Sequence, residues 1–109
     1  MTAQGPLGKK MVKLTVRVRA RDSHDGKPIS DQLVSLYKSH GISGVTILQG
    51  VRGYGKHGVS RADVLGLSMN VPLIIETIDE EEKVSGVLEG VRGIVGSNGL
   101  TTVEYVDVL

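Results

Sequence analysis

The sequence predicts an α+β fold of ferredoxin-like type, a four-stranded antiparallel sheet with two helices on one face. Two observations predict it. Apolar residues alternate with polar ones at period two near the start of the chain, while two other segments carry apolar residues at helical spacing. The segments follow one another as strand, helix, strand, strand, helix, strand, the βαββαβ order.

Val12, Leu14, Val16 and Val18 alternate with Lys13, Thr15, Arg17 and Arg19, a strand with one apolar face. The polar run from Arg21 to Gly26 is a turn. Pro28 stands where a helix can begin without a donor, and Ile29, Leu33, Leu36, Tyr37 and His40 follow at helical spacing up to Gly41. As a continuation of that stripe, His40 is expected to be partly buried. Val45 to Val51 reads as the second strand, and residues 52–70 as a long connection of the kind that is often functional. Val71 to Asp79 is the third strand, with Pro72 at its beginning. Asp79 to Glu82 place negative charge at a helix start. Val84, Val87, Leu88, Val91 and Val95 mark the second helix, and Leu100 to Val108 the last strand after the turn from Gly96 to Gly99.

In this topology the first strand lies between the third and the fourth. Its polar face carries Lys13, Arg17 and Arg19, with Glu76 and Glu104 on the neighbours as cross-strand partners. Two helices cover one face only, so the other is expected to pack on further subunits. Gly86, Gly90 and Gly93 fall on one stripe of the second helix, roughly opposite its apolar face. They mark either an exposed helix of poor propensity or the close approach of a neighbouring backbone.

The chain has 109 residues, enough for one domain over residues 10–109 after an arm over 1–9 that is expected to be disordered. Net charge is +1, and three tyrosines are the only aromatic residues. So small a net charge draws no polyanion, and so low an aromatic count argues against a single-strand nucleic-acid binder, so nucleic acid is not an expected partner. Without cysteine, disulfides, thiol catalysis and zinc–thiolate sites are excluded. No apolar run reaches the ~20 residues of a membrane span, and the chain is expected to be cytoplasmic.

Seven of the fifteen glycines lie between Gly41 and Gly66. Within that stretch, Gln49 to Arg61 gathers Arg52, Lys56, His57 and Arg61 without a carboxylate. Exposed N–H groups around Gly50 to Gly55, with Lys27, Arg52, Lys56 and Arg61 nearby, make a candidate phosphate site. A mobile loop that is basic by chance is the other reading. The three histidines, His24, His40 and His57, share no metal-ligand spacing, although His24 with Asp22 and Asp25 could take a cation. Neither the GxSxG nor the HExxH motif is present, nor the phosphate-loop or dinucleotide fingerprints, so no catalytic residue is assigned and the protein is not expected to be an enzyme.

Four segments together resemble the uncharacterised PII-like signalling family, relatives of the PII nitrogen regulators. They are Asp22 to Ile29, Gly41 to Gly55, Leu67 to Asp79 and Gly99 to Val108. The resemblance implies a homotrimer with a pocket at each subunit cleft, at the base of a loop between strands two and three. It implies an adenine nucleotide there, AMP or ADP, with no metal required, and docking of the loop on a transporter or enzyme. The ligand residues it implies are Gly50, Val51, Arg52, Gly53, Tyr54, Gly55, Lys56 and Arg61, with Asp22 and Lys27 from a neighbouring subunit. The family often has a Gly-Glu pair where Arg19 and Ala20 stand, and an arginine in place of Gln49. Residues 96–99 hold no lysine, so the triphosphate clamp of true PII proteins is not built there. A divalent-metal trimer like the CutA relatives, or a docking protein without a small ligand, are the alternatives.

Overall fold

One long strand organises the chain. In the computed structural model, residues 4–5, 7–55, 58–61 and 70–109 are described. They form β1 (Gln4–Gly5), β2 (Gly8–Arg19), β3 (Ser23–His24), β4 (Lys27–Pro28), α1 (Ile29–Ser39), β5 (Thr46–Gln49), β6 (Arg52–Gly55), β7 (Gly58–Arg61), β8 (Pro72–Asp79), α2 (Glu81–Val95) and β9 (Leu100–Val108). β2 pairs antiparallel with β8 on one side and β9 on the other, and β5 joins beyond β8. The resulting order, β9-β2-β8-β5, is the ferredoxin-like arrangement.

The first strand begins earlier than expected. Gly8 and Lys9 belong to β2, with Lys9 opposite Val108, and Gln4 and Gly5 pair back onto Lys9 and Gly8. β9 runs long enough to give Lys9 a partner in Val108. At Gly8 the backbone has φ +153°, and a Cβ would overlap the Val108 carbonyl oxygen, so only glycine lets the two chains meet there.

Alternation on β2 sets the two faces of the sheet. Leu14 and Val16 are fully buried under the helices, beside Ile75 of β8. Ile29, Leu33 and Tyr37 of α1 and Val84, Val87, Val91 and Val95 of α2 complete the same core. Each buried aliphatic side chain contributes about 1.5–3 kcal/mol of transfer free energy. The Tyr37 hydroxyl is buried without a hydrogen-bond partner among the described residues, and burial pushes its pKa up to about 12.

Local chemistry explains where α1 starts and stops. Asp25 and Gly26 both have positive φ, 52° and 76°, which makes the β3–β4 link a tight hairpin turn of the type that Asp-Gly favours. Gln32 donates to the His24 and Lys27 carbonyls at 2.7 and 3.0 Å, tying this hairpin to the first turns of the helix. At the other end Gly41 (φ +72°) donates to Lys38 and Ile42 donates to Tyr37, the paired bonds of a Schellman cap. His40 is exposed, contrary to expectation. The cap turns the chain away from the helical stripe, and the His40 ring bonds locally, with Nδ1 3.1 Å from the Leu36 carbonyl oxygen.

The α2 glycines divide. A Cβ on Gly90 would meet Leu36 Cδ2 of α1 at 2.9 Å, so this glycine faces the other helix rather than away from the core. Nothing lies within 4 Å of a Cβ at Gly86 or Gly93. Gly86→Ala is therefore expected to raise stability by up to ~1 kcal/mol, the propensity gain in a helix interior. Urea denaturation checks this, and a loss of stability instead would show that another chain approaches that face.

Opposite the helices, Lys13 Nζ lies 3.0 Å from Glu104 and 3.9 Å from Glu76, the cross-strand pairing that the sequence predicts. These carboxylates, Glu104 first through its hydrogen bond, hold the Lys13 pKa above its ordinary value. Ile78, Leu48 and Leu100 on this face are 40%, 52% and 59% exposed in the single chain.

Candidate functional site

At the end of the sheet where β2 finishes, four segments converge on a pocket of about 630 Å³. β2 contributes Arg17, Val18 and Arg19, the glycine-rich segment Gly50 and Arg52 to Gly55 with Gly58, β8 Pro72 to Ile74, and the turn after α2 Asn98 to Leu100. The volume lies within the ~300–1,000 Å³ of ordinary small-molecule sites. Arginines enter from two directions, and no carboxylate is among the lining residues described.

Glycine is needed at two places in this wall. Gly50 donates to the Pro72 carbonyl at 2.8 Å, and a Cβ on Gly50 would meet Pro72 Cγ at 2.7 Å. Pro72 begins β8, so its carbonyl accepts from Gly50 while its missing N–H returns no bond, and the pairing of β5 with β8 stops there. At Gly99 a Cβ would overlap the Arg17 carbonyl oxygen, with Val18 Cγ1 only 2.6 Å away. The turn after α2 thus lies directly on the end of β2, and it delivers Leu100 opposite Arg17.

The segment read as one long connection contains a ribbon. β6 and β7 pair antiparallel with Arg52 opposite Arg61 and Gly55 opposite Gly58, as a separate two-stranded sheet. Of the residues expected to bind a ligand, Gly50, Arg52, Gly53, Tyr54 and Gly55 line the pocket together. Val51 is 78% exposed and outside the lining. Lys56 and the side chain of Arg61 lie outside the described residues. Lys27 sits elsewhere, on a groove along α1 with Pro28, Asp31 and Gln32.

Asp22 is buried behind the pocket and turned to Arg19. Its carboxylate accepts the Arg19 backbone N–H at 2.8 Å and lies 3.5 Å from Arg19 Nε, while its carbonyl accepts the Ile29 N–H at 3.0 Å. It ties the end of β2 to the start of α1 and steadies a pocket arginine. Arg17 and Arg19 were legible only as sheet-face cations. Their place in the pocket follows from strand register and the Gly99 contact, neither of which a strand pattern reveals.

Among the described residues no three His, Asp or Glu side chains gather as a metal set. His24 has Asp25 at 3.4 Å, and His57 is outside the described residues. Among them, too, no helix is long and apolar enough to cross a membrane.

Residues 11–108 match the DUF190 family, described as "Uncharacterized ACR, COG1993". The chain belongs to the DUF190 family. A UPF0166 protein of Methanocaldococcus jannaschii (MJ1524) is 37% identical over 87 residues, 80% of this chain and 81% of that protein. Another, from Aquifex aeolicus, is 36% identical over 89 residues, 81% and 83% of the two chains. Among solved structures, this DUF190 chain is similar to CPII of Thiomonas intermedia K12, a nitrogen regulatory PII-like protein. With CPII bound to ADP, AMP and bicarbonate the TM-score is 0.71 at 22% identity, over 91% of this chain and 88% of CPII. With the apo form it is 0.60 at 19% identity, over 91% of each. The PII-like, ferredoxin-like fold implied by the sequence resemblance is therefore the fold of this DUF190 protein.

Proposed function

We propose that this protein is a non-enzymatic PII-like regulator that binds an adenine nucleotide, AMP or ADP, in the 630 Å³ pocket. The observation that carries the reading is the pocket itself. It joins a glycine-built wall and three arginines, without a lining carboxylate, in a fold shared with CPII, which has been solved with ADP and AMP bound. Arg52 and the backbone around Gly50 to Gly55 supply phosphate contacts. Tyr54, 89% exposed at the rim, offers a ring on which a base can stack.

The rest of the reading is an assembly. Three copies pack their sheet faces together, which covers Leu48, Ile78 and Leu100. The β3–β4 hairpin of a neighbour, with Lys27, closes the cleft. The β6–β7 ribbon then presents a ligand-dependent surface to a transporter or enzyme partner in the cytoplasm. A nucleotide can act through the ribbon only by binding one of its arrangements more tightly than another.

Thermal unfolding with ADP, AMP and zinc ions tests the proposal. Stabilisation by a nucleotide and not by zinc is the expected result; stabilisation by zinc alone would replace it with the metal-binding alternative. Arg52→Ala should weaken ADP binding on the order of tenfold, ~1.4 kcal/mol, and unchanged affinity would remove Arg52 from the site.

A further inference from the structure

Resting on the nucleotide reading, we infer that the pocket selects its ligand by phosphate charge, and that Arg17 is the specificity-determining residue that favours a nucleoside diphosphate over the monophosphate. The cations come from the sheet itself. Arg17 and Arg19 are two residues apart on one face of β2, roughly 7 Å at the usual strand rise, and Arg52 approaches from the glycine-rich segment.

Charge along this face is not uniform. In the middle of the sheet Lys13 is balanced by Glu76 and Glu104, at 3.9 and 3.0 Å. Nearer the strand end, Arg19 has Asp22 at 3.5 Å, so part of its charge is offset. Arg17 stands opposite Ile74 on β8 and Leu100 on β9, and neither it nor Arg52 has a carboxylate within ion-pair distance among the described residues. The uncompensated positive charge of the sheet face is thereby concentrated in the pocket. A terminal phosphate group carries about −1.5 to −2 near neutral pH, and a second phosphate adds charge and acceptor oxygens. One phosphate can meet Arg52 and the glycine amides; Arg17, two residues before Arg19 on the strand, is then left for the second.

In the turn after α2, Asn98, Gly99 and Leu100 shape the wall, and the strand that Gly99 touches supplies the charge. In the single chain Arg17 and Arg52 are both exposed, and in a cleft open to solvent their attraction for phosphate is screened by salt.

The test is calorimetric titration of the full chain with ADP, AMP and inorganic pyrophosphate, at low and high salt, for the wild type, Arg17→Gln and Lys13→Gln. Lys13→Gln removes a cation from the same strand and face outside the pocket. ADP should bind about tenfold more tightly than AMP, with the ratio narrowing at high salt. Pyrophosphate should compete with ADP. Arg17→Gln should bring the ratio close to one, and Lys13→Gln should preserve it. Circular dichroism confirms that each variant is folded. Equal binding of ADP and AMP by the wild type would overturn the phosphate selection while leaving the nucleotide reading intact. A preference for ADP that survives Arg17→Gln would overturn the role of Arg17. No binding of either nucleotide would overturn both readings.

Discussion

Gly99→Ala is expected to destabilise the protein by about 2–3 kcal/mol, the upper part of the range for overpacking, and to abolish ligand binding in the pocket. The reason is the nature of the neighbours. The added Cβ would overlap a backbone carbonyl, that of Arg17, and press on Val18 Cγ1 at 2.6 Å and Val95 Cγ1 at 3.2 Å. A flexible side chain could swing aside; a carbonyl in the central strand cannot, because β2 is paired on both sides. The turn must lift instead, which strains the Arg17–Leu100 register and moves two walls of the pocket. Urea denaturation gives the stability loss as a lower midpoint, and ADP titration gives the functional one. Wild-type stability in Gly99→Ala would mean that the turn and the strand do not touch.

Asp79→Ala should cost about 3 kcal/mol, in the range for losing charge-assisted bonds to a buried carboxylate. Asp79 is 3% exposed, at the junction of β8 and α2. Its two oxygens accept the Ser43 N–H at 2.7 Å and the Glu80 N–H at 2.8 Å, and Lys83 Nζ lies 3.9 Å away. One side chain thus anchors the segment after α1, ends β8 and places negative charge at the start of α2. Burial by itself raises its pKa, but the Ser43 and Glu80 amides and Lys83 outweigh it, and the net shift is downward from 3.8. A lowered folded-state pKa means that the contribution is complete above the unfolded value and is lost as pH falls below 3.8 through the folded one. Acid unfolding should therefore be displaced in Asp79→Ala: the variant is weaker than wild type at neutral pH, and the gap narrows as pH falls below 3.8. A constant gap across that window would assign the cost to packing rather than to the ionised carboxylate.

Much of the fold is legible in the sequence because each major element carries its own periodic signal. β9 spans Leu100–Val108 as read, and α2 ends at Val95 just before the predicted glycine turn. Pairing of Lys13 with Glu76 and Glu104 follows once the βαββαβ order is recognised. The pieces that escape are those whose signal is not periodic. β6 is Arg-Gly-Tyr-Gly, without the apolar alternation that marks a strand, and it holds its shape by pairing with β7. Gly90 faces α1, although its helix position set it away from the core, because two helices on one sheet must also pack on each other. The pocket is half legible for a related reason. Gly50 to Gly55 announce themselves by composition, whereas Arg17 and Arg19 join them through a strand end and a turn distant in sequence.

The central claim is that a nucleotide fills this pocket, and calorimetric titration of the purified wild-type protein with ADP tests it most directly. The account predicts saturable binding near one ADP per chain, weakened by Arg52→Ala. An absence of binding by ADP and by AMP, in a protein shown to be folded, would contradict it and leave the arginine-lined pocket to another anion or to a docking partner.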